Sequence, residues 1–356
     1  MEIEKYLKEQ KNLSHEHEPR IFHLSNPKEE KELEILFKEG KVLDVVDTYE
    51  NQVEELAAVK KTQKPDVTSI SDGVWVYYPW RRTIVHLLDK EEYRTIKTSR
   101  DKNLILEDEQ KLFENFTIGF AGLNVGNPGA VCIALEGGAH SVKFADFDPL
   151  SVSNFNRFRA SLSDLGVNKS ILTARQAYEI DPYLDIELFE KGIQPDTIDR
   201  FLLEPKIDLL IEEMDNLKLK ITIREKAKEH KIPVLMVTGN GANVIIDVER
   251  YDLDENLPVL NGYLKSDVIE GIHTTEVKKE NMEKIILLAR DFMGNEYLTP
   301  RLQDSFLLVG KELTGIPQLA ESSFLRGAAL CYFARQIATK QKVPSGRYYL
   351  KLDTIV

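Results

Sequence analysis

From Phe116 to Asp146 the chain reads as strand, tight turn, helix and second strand, an order that few folds accommodate in so short a span. Phe116-Thr117-Ile118-Gly119-Phe120-Ala121 has the length and apolar character of a buried strand and stops at Gly122. Gly122-Leu123-Asn124-Val125-Gly126-Asn127 is the turn. The helix is expected over 128–136, with Asn127 as its N-cap and Pro128 at its first position, where a missing N–H costs nothing. Gly137-Gly138 ends it, and Ser141 to Ala145 is the second strand, closing on Asp146 roughly twenty residues after Gly122. That spacing predicts a nucleotide-binding βαβ unit, with phosphates at the helix N-terminus and a carboxylate on the ribose hydroxyls. Asn124 and Asn127 stand where a dinucleotide fingerprint expects glycine, and Asn tolerates positive φ better than most residues.

Beyond the second strand comes Asp146-Phe147-Asp148-Pro149-Leu150-Ser151-Val152-Ser153-Asn154-Phe155-Asn156-Arg157, then Gly166-Val167-Asn168-Lys169, and later Asp215-Asn216. Hydride transfer needs no Asn, Arg and Lys series directly after the ribose carboxylate, whereas a triphosphate needs cations nearby. From about Arg100 to about Asp247 this order resembles the ThiF, MoeB and ubiquitin-activating superfamily, in which ATP adenylates a carboxylate. The resemblance implies an α/β fold: a Rossmann-like, mainly parallel sheet with helices on both faces. It implies ATP and Mg²⁺ as ligands, with Arg157 and Lys169 on phosphate, Asp215 on the metal and Asp146 on ribose. Asp148 would support the ribose or the metal, Asn154 would donate to a phosphate, and Gly122, Asn124 and Gly126 would bring backbone close to the nucleotide. An Arg ahead of the first nucleotide-fold strand reaches a partner subunit's ATP in that family, which makes Arg100 the candidate here and implies a homodimer.

Composition limits the partners. Lys plus Arg (47) against Asp plus Glu (59) gives −12, which argues against gripping nucleic acid as the main task and favours a small molecule or a protein. A tRNA-borne amino acid stays open as the carboxylate, beside a peptide, a ubiquitin-like tail or a small molecule. No apolar run approaches the roughly 20 residues that span a bilayer, and the first residues lack a signal-peptide pattern, so the expected location is the cytoplasm. Cys132 and Cys331 are too few for a four-cysteine zinc site, so no zinc is expected. Both lie in apolar surroundings that suit packing rather than a thioester-forming nucleophile. His140, His230 and His273 have no metal-ligand spacing.

The rest of the chain divides around the nucleotide unit. Residues 1–18 form a polar arm, 19–95 a small α+β module, 96–110 a linker helix, 111–275 the ATP-binding domain and 276–356 a helical part with a final strand. In the module, Trp75, Tyr77, Tyr78 and Trp80 read as the core and edge of a hairpin, with a stacking surface as the alternative. Residues 251–276, with Pro258 and Gly262, are expected to be an irregular crossover over the site. Two other readings use the same core: an NAD- or FAD-dependent oxidoreductase and a non-catalytic scaffold. The degraded glycine turn and the Arg157, Lys169 pair weigh against the first, and Asp215 against the second.

Overall fold

The computed structural model describes residues 15–60 and 72–353, so most of the expected polar arm lies outside the described residues. The N-terminal elements are β1 (Arg20–Phe22), α1 (Pro27–Lys38), β2 (Asp44–Asp47), α2 (Tyr49–Lys60), β3 (Val74–Tyr78) and β4 (Thr83–Leu87). Their strands form a sheet in the order β1-β3-β4-β2, with β2 parallel to β4 and the other pairs antiparallel. Period-2 alternation on β3 gives the sheet two apolar faces. Tyr77 turns toward Phe22, Leu33, Leu36 and Ile84, while Val74, Val76 and Tyr78 join the main core. The aromatic cluster is therefore the hairpin's packing, as expected. Arg81 grips Glu179 through two bonds of 2.8 and 2.9 Å, and the Tyr78 hydroxyl donates to the Tyr178 carbonyl at 3.2 Å, clamping the module to the next domain.

Two helices follow, α3 (Lys90–Lys97) and α4 (Glu107–Glu114), where one linker helix was expected. A run of turns separates them, with Asn103 at φ 74°, a conformation that no helix accommodates. The nucleotide domain then runs β5 (Ile118–Ala121), α5 (Leu123–Leu135), β6 (Ser141–Ala145), α6 (Lys169–Ile180), β7 (Asp185–Phe189), α7 (Ile198–Leu203), β8 (Leu209–Glu212), α8 (Leu217–Glu229), β9 (Val234–Asn240) and β10 (Asn243–Glu249). After it come α9 (Ser266–Thr274), α10 (Met282–Met293), α11 (Pro300–Leu308), α12 (Ala320–Ala338) and β11 (Gly346–Leu350).

The second sheet has the order β11-β10-β9-β8-β5-β6-β7. Its strands β7, β6, β5, β8 and β9 are parallel, and β10 and β11 extend it antiparallel. Every residue of β5 and β8 is buried, as a parallel sheet covered on both faces requires. This is the expected fold class. Strand order reverses between β5 and β8, so the carboxyl ends of these strands border a crevice where ligands of such sheets bind.

The sequence expectation fails at two further places. Helix α5 starts at Leu123 rather than Pro128, with Gly122 before it at φ 92°, so Asn127 is no N-cap. Asn127 is fully buried and donates to Thr173 and Gln176 at 3.0 and 2.7 Å, tying α5 to α6. Pro128 sits inside the helix against α12, where a Cβ on Gly327 would lie 2.8 Å from its carbonyl oxygen. Residues 251–276, expected as an irregular cover over the site, contain α9, whose Val268 and Ile272 pack with Ile221, Met236 and Phe292. A buried charge network anchors the start of this segment. Arg224 bonds Glu249 at 2.8 Å and also Glu212, while Glu249 accepts from Tyr251 and from Leu260 N.

Candidate active site

The crevice is a cavity of about 620 Å³ at the carboxyl ends of β5, β6 and β8. Gly122, Asn124, Asp146, Asp148 and Asp215 line it, together with Ile193, Gln194, Pro195, Glu213, Met214, Lys218, Leu219 and Thr222. Five predicted residues thus meet in one space. Asp146 ends β6 and is 7% exposed. Its two oxygens accept from Leu123 N at 2.7 Å and Asp148 N at 2.8 Å, which fixes the carboxylate against the first turn of α5. Burial raises its pKa from the ordinary 3.8, against the pull of those two bonds.

Gly122 is required by packing. A Cβ there would lie 2.5 Å from the Glu213 carbonyl oxygen, so β5 and β8 approach more closely at their ends than any other residue permits. Gly126 has no such role. A Cβ on it would meet Phe120 and Leu123 at 3.6 and 3.7 Å, ordinary contacts directed into the core, and it does not line the cavity. Its predicted approach to the nucleotide is corrected by the earlier start of the helix.

Asn124 lies on the first turn of α5. With its amide oriented to satisfy both groups, its oxygen accepts from Arg157 Nε and Nη2, each at 3.1 Å. The predicted phosphate cation therefore stands beside the predicted phosphate turn. Burial pulls the Arg157 pKa below its ordinary value, opposed by Asp215. Lys169 is 3% exposed and opens α6 with Nζ 3.1 Å from Asp148, which presents the pair from the cavity wall. Asn154 has a structural bond as well: its oxygen accepts from Ser151 N and Oγ at 2.9 and 3.0 Å, capping a short 3₁₀ turn. Asn154, Arg157, Lys169 and Arg100 do not themselves line this cavity: Arg157 and Lys169 stand behind the lining residues Asn124 and Asp148, and Arg100 is exposed on the turn between α3 and α4.

Sequence reasoning passed over Glu213 and Arg326. Glu213 follows β8, accepts from Val237 N at 2.6 Å, and is pushed up to about 8 by burial. Arg326 reaches the carboxyl end of β9 from α12, far away in sequence. Cys132 and Cys331 face each other across α5 and α12. Their sulfurs and a Glu136 oxygen lie within 4.8 Å of one another, although Glu136 is also held by Arg335 at 3.0 Å. No spacing rule connects residues on such distant helices.

Residues 98–247 match the ThiF family. This chain's nucleotide domain is a ThiF-family domain. An uncharacterized protein of Mycobacterium tuberculosis, MT1398, is 32% identical over 299 residues, which are 83% of this chain and 40% of that protein. The yeast tRNA threonylcarbamoyladenosine dehydratase 2 (Saccharomyces cerevisiae) is 23% identical over 49% of this chain and 44% of its own length. A probable molybdopterin-synthase adenylyltransferase of Porphyra purpurea is 23% identical over 39% and 36%. The chain thus spans less than half the length of each of these curated relatives. The crystal structure of PaaA shares the fold, with a TM-score of 0.50 at 16% identity over 73% of this chain and 76% of that one. Among the described residues, no helix of this chain is long and apolar enough to cross a membrane.

Proposed function

We propose that this protein is an ATP-dependent adenylyltransferase that activates a carboxylate as an acyl adenylate. The observation that carries the reading is the meeting of Asp146, Asp215 and the Asn124–Arg157 pair around one cavity at the strand ends. Met214, Leu219, Ile193 and Pro195 give that cavity apolar walls suited to a flat base. Asp146, fixed by two backbone bonds, keeps lone pairs for ribose hydroxyls. The first turn of α5 and Arg157 then take the phosphates.

In the reaction a carboxylate oxygen bonds to the α-phosphorus while the bond to the β-phosphate oxygen breaks, and the electron pair leaves with pyrophosphate. Negative charge meets negative charge, so placed cations carry the rate. The exposed Asp215 carboxylate on the cavity wall is a donor suited to Mg²⁺, which takes one or two carboxylates besides phosphate and water. When bound, Mg²⁺ would neutralise phosphate charge. Lys169, shared with Asp148, would add a second cation at the wall.

Cys132 and Cys331 pair with each other between α5 and α12 and do not line the cavity, which supports a route that stops at the adenylate. The acyl group belongs to a peptide, a ubiquitin-like tail, a tRNA-borne amino acid or a small molecule. The protein acts as a homodimer in this reading, with Arg100 offered to a partner's nucleotide.

Mg²⁺-dependent ATP–pyrophosphate exchange, with candidate carboxylates, tests the reading alongside titrations of ATP and AMP. Asp215→Ala and Arg157→Ala are each expected to lower exchange by about 10²-fold or more. A parent chain with no affinity for either nucleotide would sink the proposal.

A further inference from the structure

Arg326 carries a charge that the fold does not account for. It sits on α12, is 3% exposed, and forms no ion pair among the described residues. Its hydrogen bond runs from Nη2 to Gln318 Oε1 at 3.2 Å, and its buried Nε has no partner among the described residues. A guanidinium carries five N–H donors, and a buried charge without a counter-ion is costly enough that folds rarely keep one without use.

Two more guanidiniums stand close by. Arg157 and Arg159 both act on Arg326 as like charges, while Glu213 and Asp215 attract it. Arg159 stacks over the Phe324 ring at 3.7 Å, and its buried Nη1 also lacks a partner among the described residues. The three are held as a unit. Ser323 Oγ donates to the Arg157 carbonyl at 2.7 Å, and Asn156 Nδ2 donates to the Gln318 carbonyl at 2.8 Å, stitching α12 to the segment that carries Arg157 and Arg159. The position a Cβ would take on Gly239 is 3.5 Å from Arg326 Cζ and Nη1, which sets this guanidinium against the end of β9, next to the strand that leads to Asp215.

We propose that Arg326, with Arg157 and Arg159, forms an oxyanion site beside the nucleotide cavity that holds the β- and γ-phosphates of ATP and the pyrophosphate released from them. The proposal rests on the adenylation reading above. Charge decides the ligand: three guanidiniums exceed what one carboxylate can neutralise, whereas pyrophosphate carries three or more negative charges near neutral pH. Arg157 links the sites, since it also binds Asn124 on the phosphate turn. As the α-to-β phosphate bond breaks, the electron pair lands on the oxygen that these donors face, so the site is complementary to the leaving group.

The test is calorimetric titration of the whole chain with AMP, ATP and inorganic pyrophosphate, using the parent, Arg326→Met, Arg326→Lys and Arg159→Met. Arg326→Met is expected to weaken pyrophosphate and ATP by at least about tenfold, the worth of a charged hydrogen bond, while AMP changes less than about twofold. Its unliganded Tm should equal or exceed that of the parent, because a buried unpaired charge has been removed. Arg326→Lys should regain part of the affinity, and Arg159→Met should weaken pyrophosphate in the same direction, so the proposal stays testable if the methionine variant at 326 does not fold. A parent that binds AMP and ATP equally and ignores pyrophosphate overturns the proposal alone. So does an Arg326→Met protein whose Tm falls and whose AMP and ATP affinities drop together, which is the signature of a structural arginine. A parent that binds neither nucleotide overturns the adenylation reading, and the proposal falls with it.

Discussion

Gly122 and Gly126 flank the same turn of sequence, and the structure separates them, which allows a paired experiment. In Gly122→Ala the new Cβ would sit 2.5 Å from the Glu213 carbonyl oxygen, 2.6 Å from its carbon and 2.8 Å from Met214 N. Carbon contacts are comfortable at about 3.5–4.0 Å, and the obstruction is backbone at the end of a buried strand, so it cannot rotate away. Relief by backbone shift costs about 1–3 kcal/mol as overpacking. The φ of 92° is a further strain for any residue with a Cβ, about 1–3 kcal/mol. The expected loss is therefore about 2–6 kcal/mol, against about 5–15 for the whole of a typical domain. In Gly126→Ala the Cβ meets Phe120 and Leu123 at 3.6 and 3.7 Å inside a helix, and exchanging glycine for alanine there should gain about 0.5–1 kcal/mol. Urea unfolding of the parent and both variants measures this, and AMP titration of the same samples reads the site. Gly122→Ala should also lose nucleotide affinity, since pushing Glu213 and Met214 displaces Asp215, whereas Gly126→Ala should bind as the parent does. A Gly126→Ala protein as damaged as Gly122→Ala, or a Gly122→Ala protein within about 0.5 kcal/mol of the parent, would refute the packing argument.

The buried network under the crossover gives a second prediction. Arg224, Glu212 and Glu249 have fully buried side chains, so Glu249→Met, which strands one side of Arg224, should cost about 3–5 kcal/mol in a urea melt. The double variant Arg224→Met with Glu249→Met should lose less than the two single losses added together, because Glu212 keeps Lys220 at 2.9 Å. His140 gives a pH prediction. Its ring nitrogens lie 3.2 Å from Lys90 Nζ and 2.9 Å from Arg94 Nη2, and burial followed by these cations lowers its pKa from 6.5, against Asp181 and Asp185. The unfolded chain then binds this proton more readily, so the contribution is intact above pH 6.5 and is lost as pH falls toward the lowered native value. The Tm of the parent should fall more steeply than that of His140→Gln below pH 6.5, and parallel curves would contradict the assignment.

What could be read from the chain was what is local. The short apolar runs Phe116 to Ala121 and Ile207 to Ile211 announce buried parallel strands, found at Ile118–Ala121 and Leu209–Glu212, and this alone puts Asp215 at the sheet's carboxyl edge. The start of α5 was illegible because Gly126, Asn127, Pro128 and Gly129 are poor helix formers in isolation. Tertiary contact overrides that preference: the Asn127 amide donates to Thr173 and Gln176, and a Cβ on Gly129 would lie 2.6 Å from Leu330, so small residues there let α12 lie against α5. Asn154 has a local role that the motif did not announce. Its place in the motif suggested donation to a ligand through the amide N–H, and its oxygen, three residues after Ser151, caps a turn.

Arg326 had no local signal at all, since one arginine on an amphipathic helix is ordinary until the helix is docked. Its neighbour supplies the docking. Gly327 faces Pro128, where a Cβ would clash at 2.7 Å, so one close approach of α12 to α5 falls one residue from Arg326. Pro128 and Asn124 belong to the same helix, and Asn124 holds Arg157. The contact that seats α12 therefore also fixes where Arg326 stands relative to the phosphate turn. A helix more than 150 residues beyond the nucleotide turn becomes part of the site through a glycine that packs, and a cation that would be a burden to a purely structural helix is placed where an anion can neutralise it.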